Sequence, residues 1–163
     1  MLIILSKDQR LHAWAGYPAS QADNWGRIVG LGDGNLHSAT ERLLHALNYV
    51  GNDEPLCLFA HGSNTAIGDE GSGPGDWTWT VEDIAVILAM TLGQRGFTGP
   101  ILIQACAGGI TNFSTHLALA LSQQRALLGV WIYGYNKPVP IVQVFPAPSQ
   151  LDTNVELQPV QVT

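Results

Sequence analysis

The sequence predicts an α/β protein, a three-layer α/β/α sandwich built around a mostly parallel sheet. Three observations predict it. Short, almost wholly apolar runs occur at residues 2–5 (LIIL), 56–60 (LCLFA), 101–105 (ILIQA) and 129–135 (GVWIYGY), the pattern of strands covered on both faces. Segments with apolar residues at helical spacing separate them. Finally, 46% of the 163 residues are apolar and only 12% charged, enough to bury a sizeable core.

Taken in order, LIIL is the first strand. Residues 15–35 are rich in Gly, Asn and Asp and read as a loop, with room for a short strand at 27–31. Residues 38–50 predict a helix. Ser38 and Glu41 make a capping-box start, and Leu43, Leu44, Leu47 and Val50 form its apolar face. LCLFA follows a proline and reads as a buried strand. The glycine-rich stretch 63–79 is a long excursion. Residues 80–94 predict a second helix, started by Thr80 and Asp83, with Ile84, Ile87, Leu88 and Leu92 inward. ILIQA is the next strand. Residues 113–128 form a third helix with Leu117, Leu121 and Leu128 inward. GVWIYGY is a further strand. The proline-bearing segment 138–163 reads as extended, suited to an edge strand. The chain is expected to form a single catalytic domain, with its core at about 1–137.

Composition excludes several functions. The formal charge is −6, and only seven Lys or Arg are scattered along the chain, so neither nucleic acid nor an anionic membrane is an expected partner. No apolar run has the length of a membrane span. The start MLIILSKDQR lacks the basic opening and long apolar stretch of a signal peptide. Cys57 and Cys106 are the only cysteines, and both lie in apolar runs. Free thiols in a reducing, cytoplasmic setting are expected. No C-x-x-C and no zinc-spaced cluster is present, and no metal or organic cofactor is expected. The stretch GLGDGN at 30–35 lacks the last glycine of a dinucleotide fingerprint. There is neither a G-x-S-x-G elbow nor a P-loop.

Two strands end on reactive residues. LCLFA runs into His61-Gly62, and ILIQA runs into Cys106. They stand 45 residues apart, the length of one crossover helix with its loops. Parallel neighbours would therefore carry both residues at the same end of the sheet, where open α/β sheets build their sites. A thiol is only a few per cent thiolate at neutral pH, and a neighbouring imidazole activates it. Glycine after the histidine lets the backbone come close to a substrate. The N–H groups of Gly62 and Cys106 are candidate donors to an oxyanion. Weighed against this, Cys57 reads as a small core residue. His12, His37, His45 and His116 have no strand-end context.

An apolar strand ending in His-Gly, followed by one ending in Gln-Ala-Cys-x-Gly (QACAGG, Gln104–Gly109), resembles the clan CD cysteine peptidases. That clan includes caspases, metacaspases, clostripain- and gingipain-like enzymes, separases and self-processing toxin domains. The resemblance covers about residues 56–135 and is closest to the caspase branch. The chain would be a minimal, bacterial-type member with a caspase-like core. The resemblance implies a thiol protease working through a Cys-His dyad. His61 would be the general base, Cys106 the nucleophile, and Gly62 with Cys106 the oxyanion hole.

A protein or peptide would be the substrate, and limited proteolysis of a partner a natural role. Gln104 stands where the family reads the side chain before the scissile bond. Candidate companions are basic (Lys7, Arg10, Lys137) or acidic (Asp69, Glu70, Asp76), and the sequence leaves this open. Ser63, Trp77 and Tyr135 complete the candidate substrate contacts. Two alternatives stand beside the peptidase. One is another Cys-His acyl-transfer enzyme, such as a deamidase. The other is a non-catalytic caspase-like interaction module.

Overall fold

The structure is a computed structural model describing residues 1–71 and 73–163. Its strands are β1 (Leu2–Ile4), β2 (Ile28–Gly30), β3 (Leu56–Gly62), β4 (Ala66–Gly68), β5 (Thr78–Thr80), β6 (Ile101–Cys106), β7 (Trp131–Tyr135) and β8 (Leu157–Gln161). Its helices are α1 (Gln9–Gly16), α2 (Leu36–Leu47), α3 (Val81–Thr91) and α4 (Phe113–Gln123). The main sheet runs β2-β1-β3-β6-β7-β8. It is parallel except for β8, which pairs antiparallel with β7 at the edge. This is the expected three-layer sandwich with a mostly parallel sheet, consistent with a caspase-like core.

Alternation along each strand divides the core. Ile3, Leu56, Leu58, Ala60, Ile101 and Ile103 face α2, α3 and α4. Leu2, Ile4, Cys57, Phe59, Leu102 and Cys106 face the other layer. Only one α-helix, α1, lies there. The remaining cover is two 3₁₀ turns (Pro18–Ser20 and Ala22–Trp25) and the segment from Val139 to Leu151. Phe145 is fully buried on that face, edge-on to Phe59 with ring centres 4.9 Å apart. Residues 138–163 therefore supply both an edge strand and part of a packing layer.

Several boundaries differ from expectation, for local reasons. Residues 9–16, of which only 15 and 16 belong to the expected loop, form a helix not expected from the sequence, because Asp8 caps the Arg10 N–H and Leu11 and Ala15 bury four residues apart. Helix α2 starts at Leu36, since Asn35 rather than Ser38 accepts the orphan N–H, from Ser38. Helix α3 carries the expected capping box of Thr80 and Asp83. Helix α4 stops at Gln123: Arg125 and Leu127 adopt left-handed φ angles of 52° and 55°, which end the helix and leave Leu128 56% exposed. The excursion at 63–79 contains an antiparallel hairpin, β4–β5, that extends β3 beyond the end of β1.

Candidate active site

The site lies at the C-terminal ends of β1, β3 and β6. In the parallel ladder of β3 and β6, His61 is in register with Cys106. Residues in register on neighbouring parallel strands project from the same face, with strands about 4.8 Å apart. His61 and Cys106 are each 6% exposed.

Strand β1 adds what sequence reasoning missed. Beyond Ile4 the chain turns through Ser6 and Lys7 to Asp8, and Asp8 Oδ2 lies 2.8 Å from His61 Nε2. Asp69 builds this turn. Its Oδ1 accepts from the Ser6 hydroxyl and the Lys7 N–H at 2.7 and 2.8 Å, and its Oδ2 accepts from the Trp77 N–H at 2.8 Å. The β4–β5 hairpin is thus latched to the loop that carries Asp8. The three groups follow strand order: Asp8 after β1, His61 on β3, Cys106 on β6.

The signal for Asp8 was a helix N-cap: an Asp followed by Leu11 and Ala15 at helical spacing. The link to His61 needed the strand order, which places β1 beside β3.

Charge around the site is dense. The Arg10 guanidinium donates to both Asp8 and Glu70. Arg10 beside it, aided by the bonds from the Arg10 N–H and His61, holds the Asp8 carboxyl well below the usual carboxylate range, against the opposing effect of burial. Burial pushes the Cys106 thiol up to about 12. Negative charge on Asp8 and Glu70 acts in the same direction, and Arg10 opposes it. The thiol is covered by the segment after β7. Its Sγ lies 3.7 Å from the Pro140 carbonyl oxygen, and Ala107 and Val139 exchange two backbone hydrogen bonds of 2.9 and 3.0 Å.

Two clefts meet over the pair. The larger, about 390 Å³, is walled by the hairpin and Gly71. The smaller, about 220 Å³, is walled by Val139, Pro140 and Ile141. Both contain His61, Glu70, Cys106, Ala107 and Gly108, so an open groove crosses the His61–Cys106 pair.

The backbone donors are less free than the sequence suggests. Leu56 N–H donates to the Pro100 carbonyl, so the even-numbered residues of β3 bond toward β6. Alternation to the last rung then directs Gly62 N–H at the Cys106 carbonyl and Cys106 N–H at the Ala60 carbonyl. Gly62 has a steric reason as well. A Cβ there would lie 2.7 Å from Ala105 Cβ and 3.2 Å from Ile67 Cγ2, on the helix-covered face of the sheet.

The other candidates divide into those at the groove and those beneath it. Ser63, Asp69 and Glu70 line the larger cleft. Ser63 also caps the hairpin turn through its hydroxyl. Gln104 is fully buried: its amide donates to the Gln143 carbonyl and its Oε1 accepts from the Tyr135 hydroxyl. Trp77 is buried against Trp79 and donates to the Gly34 carbonyl, pinning the hairpin to the loop before α2. Asp76 accepts from the Gly73 N–H within its own loop. Lys137 pairs with Glu156 at 2.7 Å. Gln104, Trp77, Asp76, Tyr135 and Lys137 thus border neither cleft, and each has a structural partner. Cys57 is buried and unpaired with Cys106.

No known family model matches the chain, and no curated protein matches it. Among the described residues, no helix is long and apolar enough to cross a membrane.

Proposed function

We propose that the protein is a cysteine peptidase of the caspase-like, clan CD type, acting on a protein or peptide substrate. The observation that carries this reading is the His61–Cys106 register at the open ends of β3 and β6, with Asp8 on the far nitrogen of His61. Asp8 is held ionised and can only accept, so His61 Nε2 carries the ring proton in the neutral form. Nδ1 is then the basic nitrogen available to Cys106.

In the reaction the Cys106 proton passes to Nδ1, and sulfur attacks the scissile carbonyl. The imidazolium, stabilised by Asp8, returns the proton to the leaving amine. Water then attacks the thioester, giving its proton to Nδ1, and thiol and carboxylic acid are released. The oxyanion draws on Gly62 and Cys106 N–H groups if the last rung of the ladder opens. Gly108 N–H, on the floor of both clefts, has no partner among the described hydrogen bonds and needs no such opening.

The Cys106 thiol is covered and faces the Pro140 carbonyl, so a substrate must displace that contact. That same covering supports a second reading, a non-catalytic interaction module. A denatured-proteome peptide digest separates the two. The wild type should generate new peptide termini, and Cys106→Ala should generate none while melting at the same temperature. Cutting by the alanine variant would overturn the mechanism. Release of ammonia from side-chain amides without new termini would make the protein a deamidase instead.

A further inference from the structure

The opposite edge of the sheet carries a second groove, unrelated to the catalytic reading. Strand β2 is the last strand on that side. Leu2 N–H donates to the Arg27 carbonyl, so odd-numbered residues of β2 face β1. Ile28 and Gly30 therefore direct their N–H and C=O groups outward, and no described hydrogen bond uses them.

Helix α2 overhangs this edge. Arg42, His45 and Ala46 on α2, and Tyr49 in the turn just after it, follow one another at helical spacing of three, one and three. With Met1, Arg27, Val29 and Gly30 they enclose a cleft of about 370 Å³. Its floor is apolar and its ends are cationic. Arg27 donates to the Tyr49 carbonyl, and Arg42 to the Leu31 and Asp33 carbonyls. Among the described residues neither arginine has a carboxylate within ion-pair distance, while Glu54 nearby is taken by the N-terminal amine at 3.0 Å. Two of only seven Lys and Arg in a chain of net charge −6 thus meet at one groove.

We propose that this groove docks an extended acidic segment of a partner protein, which adds to the sheet as a strand beside β2. The outward backbone groups supply the pairing, and alternate side chains of the guest pass beneath the α2 stripe. The guest residues beneath the stripe are acidic at either end, meeting Arg27, Arg42 and His45, and apolar between, meeting Val29, Ala46 and Tyr49. A short edge strand flanked by arginines discourages pairing with a like-charged edge, which disfavours a second copy of this chain. The same charges favour an acidic strand.

The test uses the full chain, ¹⁵N-labelled, titrated with the blocked peptide Glu-Thr-Val-Thr-Val-Thr-Glu, whose alternate residues carry both chemistries on one face, and with its counterpart bearing Lys in place of Glu. Saturable shifts of the Ile28–Gly30 and Arg42–Tyr49 amides with the Glu peptide alone are expected, weakening as salt rises. Arg42→Glu should weaken binding about tenfold or more. Ile28→Pro keeps both arginines but removes the outward N–H, and should also weaken it. Undiminished binding by Ile28→Pro would reduce the groove to a plain anion site and overturn strand addition. Equal binding of the Lys peptide, shifts centred on His61 and Cys106, or no shift at millimolar peptide would overturn the docking site. A concentration-dependent dimer pairing through β2 would replace the acidic partner with a second copy.

Discussion

Asp8 has two jobs that different substitutions separate. Its Oδ1 caps α1 through the Arg10 N–H, and its Oδ2 meets His61 Nε2. Asparagine caps a helix about as well as aspartate, so Asp8→Asn should lower the melting temperature only by the small contribution of the solvent-exposed Arg10 ion pair. It removes the charge that stabilises the imidazolium, and the amide can turn its NH₂ toward Nε2 and reverse the tautomer. A fall of about 10²-fold or more in kcat/KM is expected from peptidase assays. Unchanged kcat/KM would mean that Asp8 is only a helix cap. Sequence inspection found His61 and Cys106 because each ends an almost wholly apolar strand. It missed Asp8 because nothing local distinguishes a helix-capping aspartate from one that also orients a histidine 53 residues away.

At the level of elements, β3 and β6 were legible as strands, but the purpose of Gly62 was not. Sequence reasoning assigned that glycine to the substrate. The ladder shows a packing requirement on the helix-covered face, where a methyl group would collide with Ala105. Gly62→Ala should therefore cost about 1–3 kcal/mol in denaturant unfolding. Gly62→Ala with Ala105→Gly should recover much of that loss. If the second change restores nothing, the collision is not what requires glycine at 62. A related constraint acts in the hairpin. Gly68 has a φ of 149°, and a Cβ would strike the Trp77 carbonyl oxygen at 2.3 Å, so β4 and β5 can approach only around a glycine. The hairpin was hidden in the sequence because β4 and β5 span three residues each, too few to show a period.

The whole molecule buries acids that titrate in alkali. Burial raises Cys57 well above its ordinary value and Cys106 to about 12. Burial, with the Asp152 carboxylate, raises Tyr133 to about 12, and burial raises Tyr135 further. In each case the folded state holds its proton more tightly than the unfolded chain. The associated stability is fully present below the unfolded values, about 8.5 for Cys and about 10 for Tyr, and is lost as pH rises through and above them. Thermal melts should therefore hold steady from pH 7 to 8 and drop progressively from about pH 9 to 10.5. A flat profile through pH 10.5 would contradict the burial of these groups.

The sequence by itself determined the layers and the reactive pair. Period and polarity are local properties, and a strand apolar throughout must be covered on both faces wherever it sits. It also allowed His61 and Cys106 to share one end of the sheet, since a 45-residue spacing accommodates one crossover helix, and the parallel β3–β6 ladder realises that arrangement. Only the tertiary structure decided what surrounds them. The order β2-β1-β3-β6 brought Asp8 to His61, the Val139–Ile141 segment over Cys106, and Gln104 beneath the groove rather than into it. These are contacts between segments distant in the chain, set by how strands pair and faces fill, and no window of sequence contains both partners.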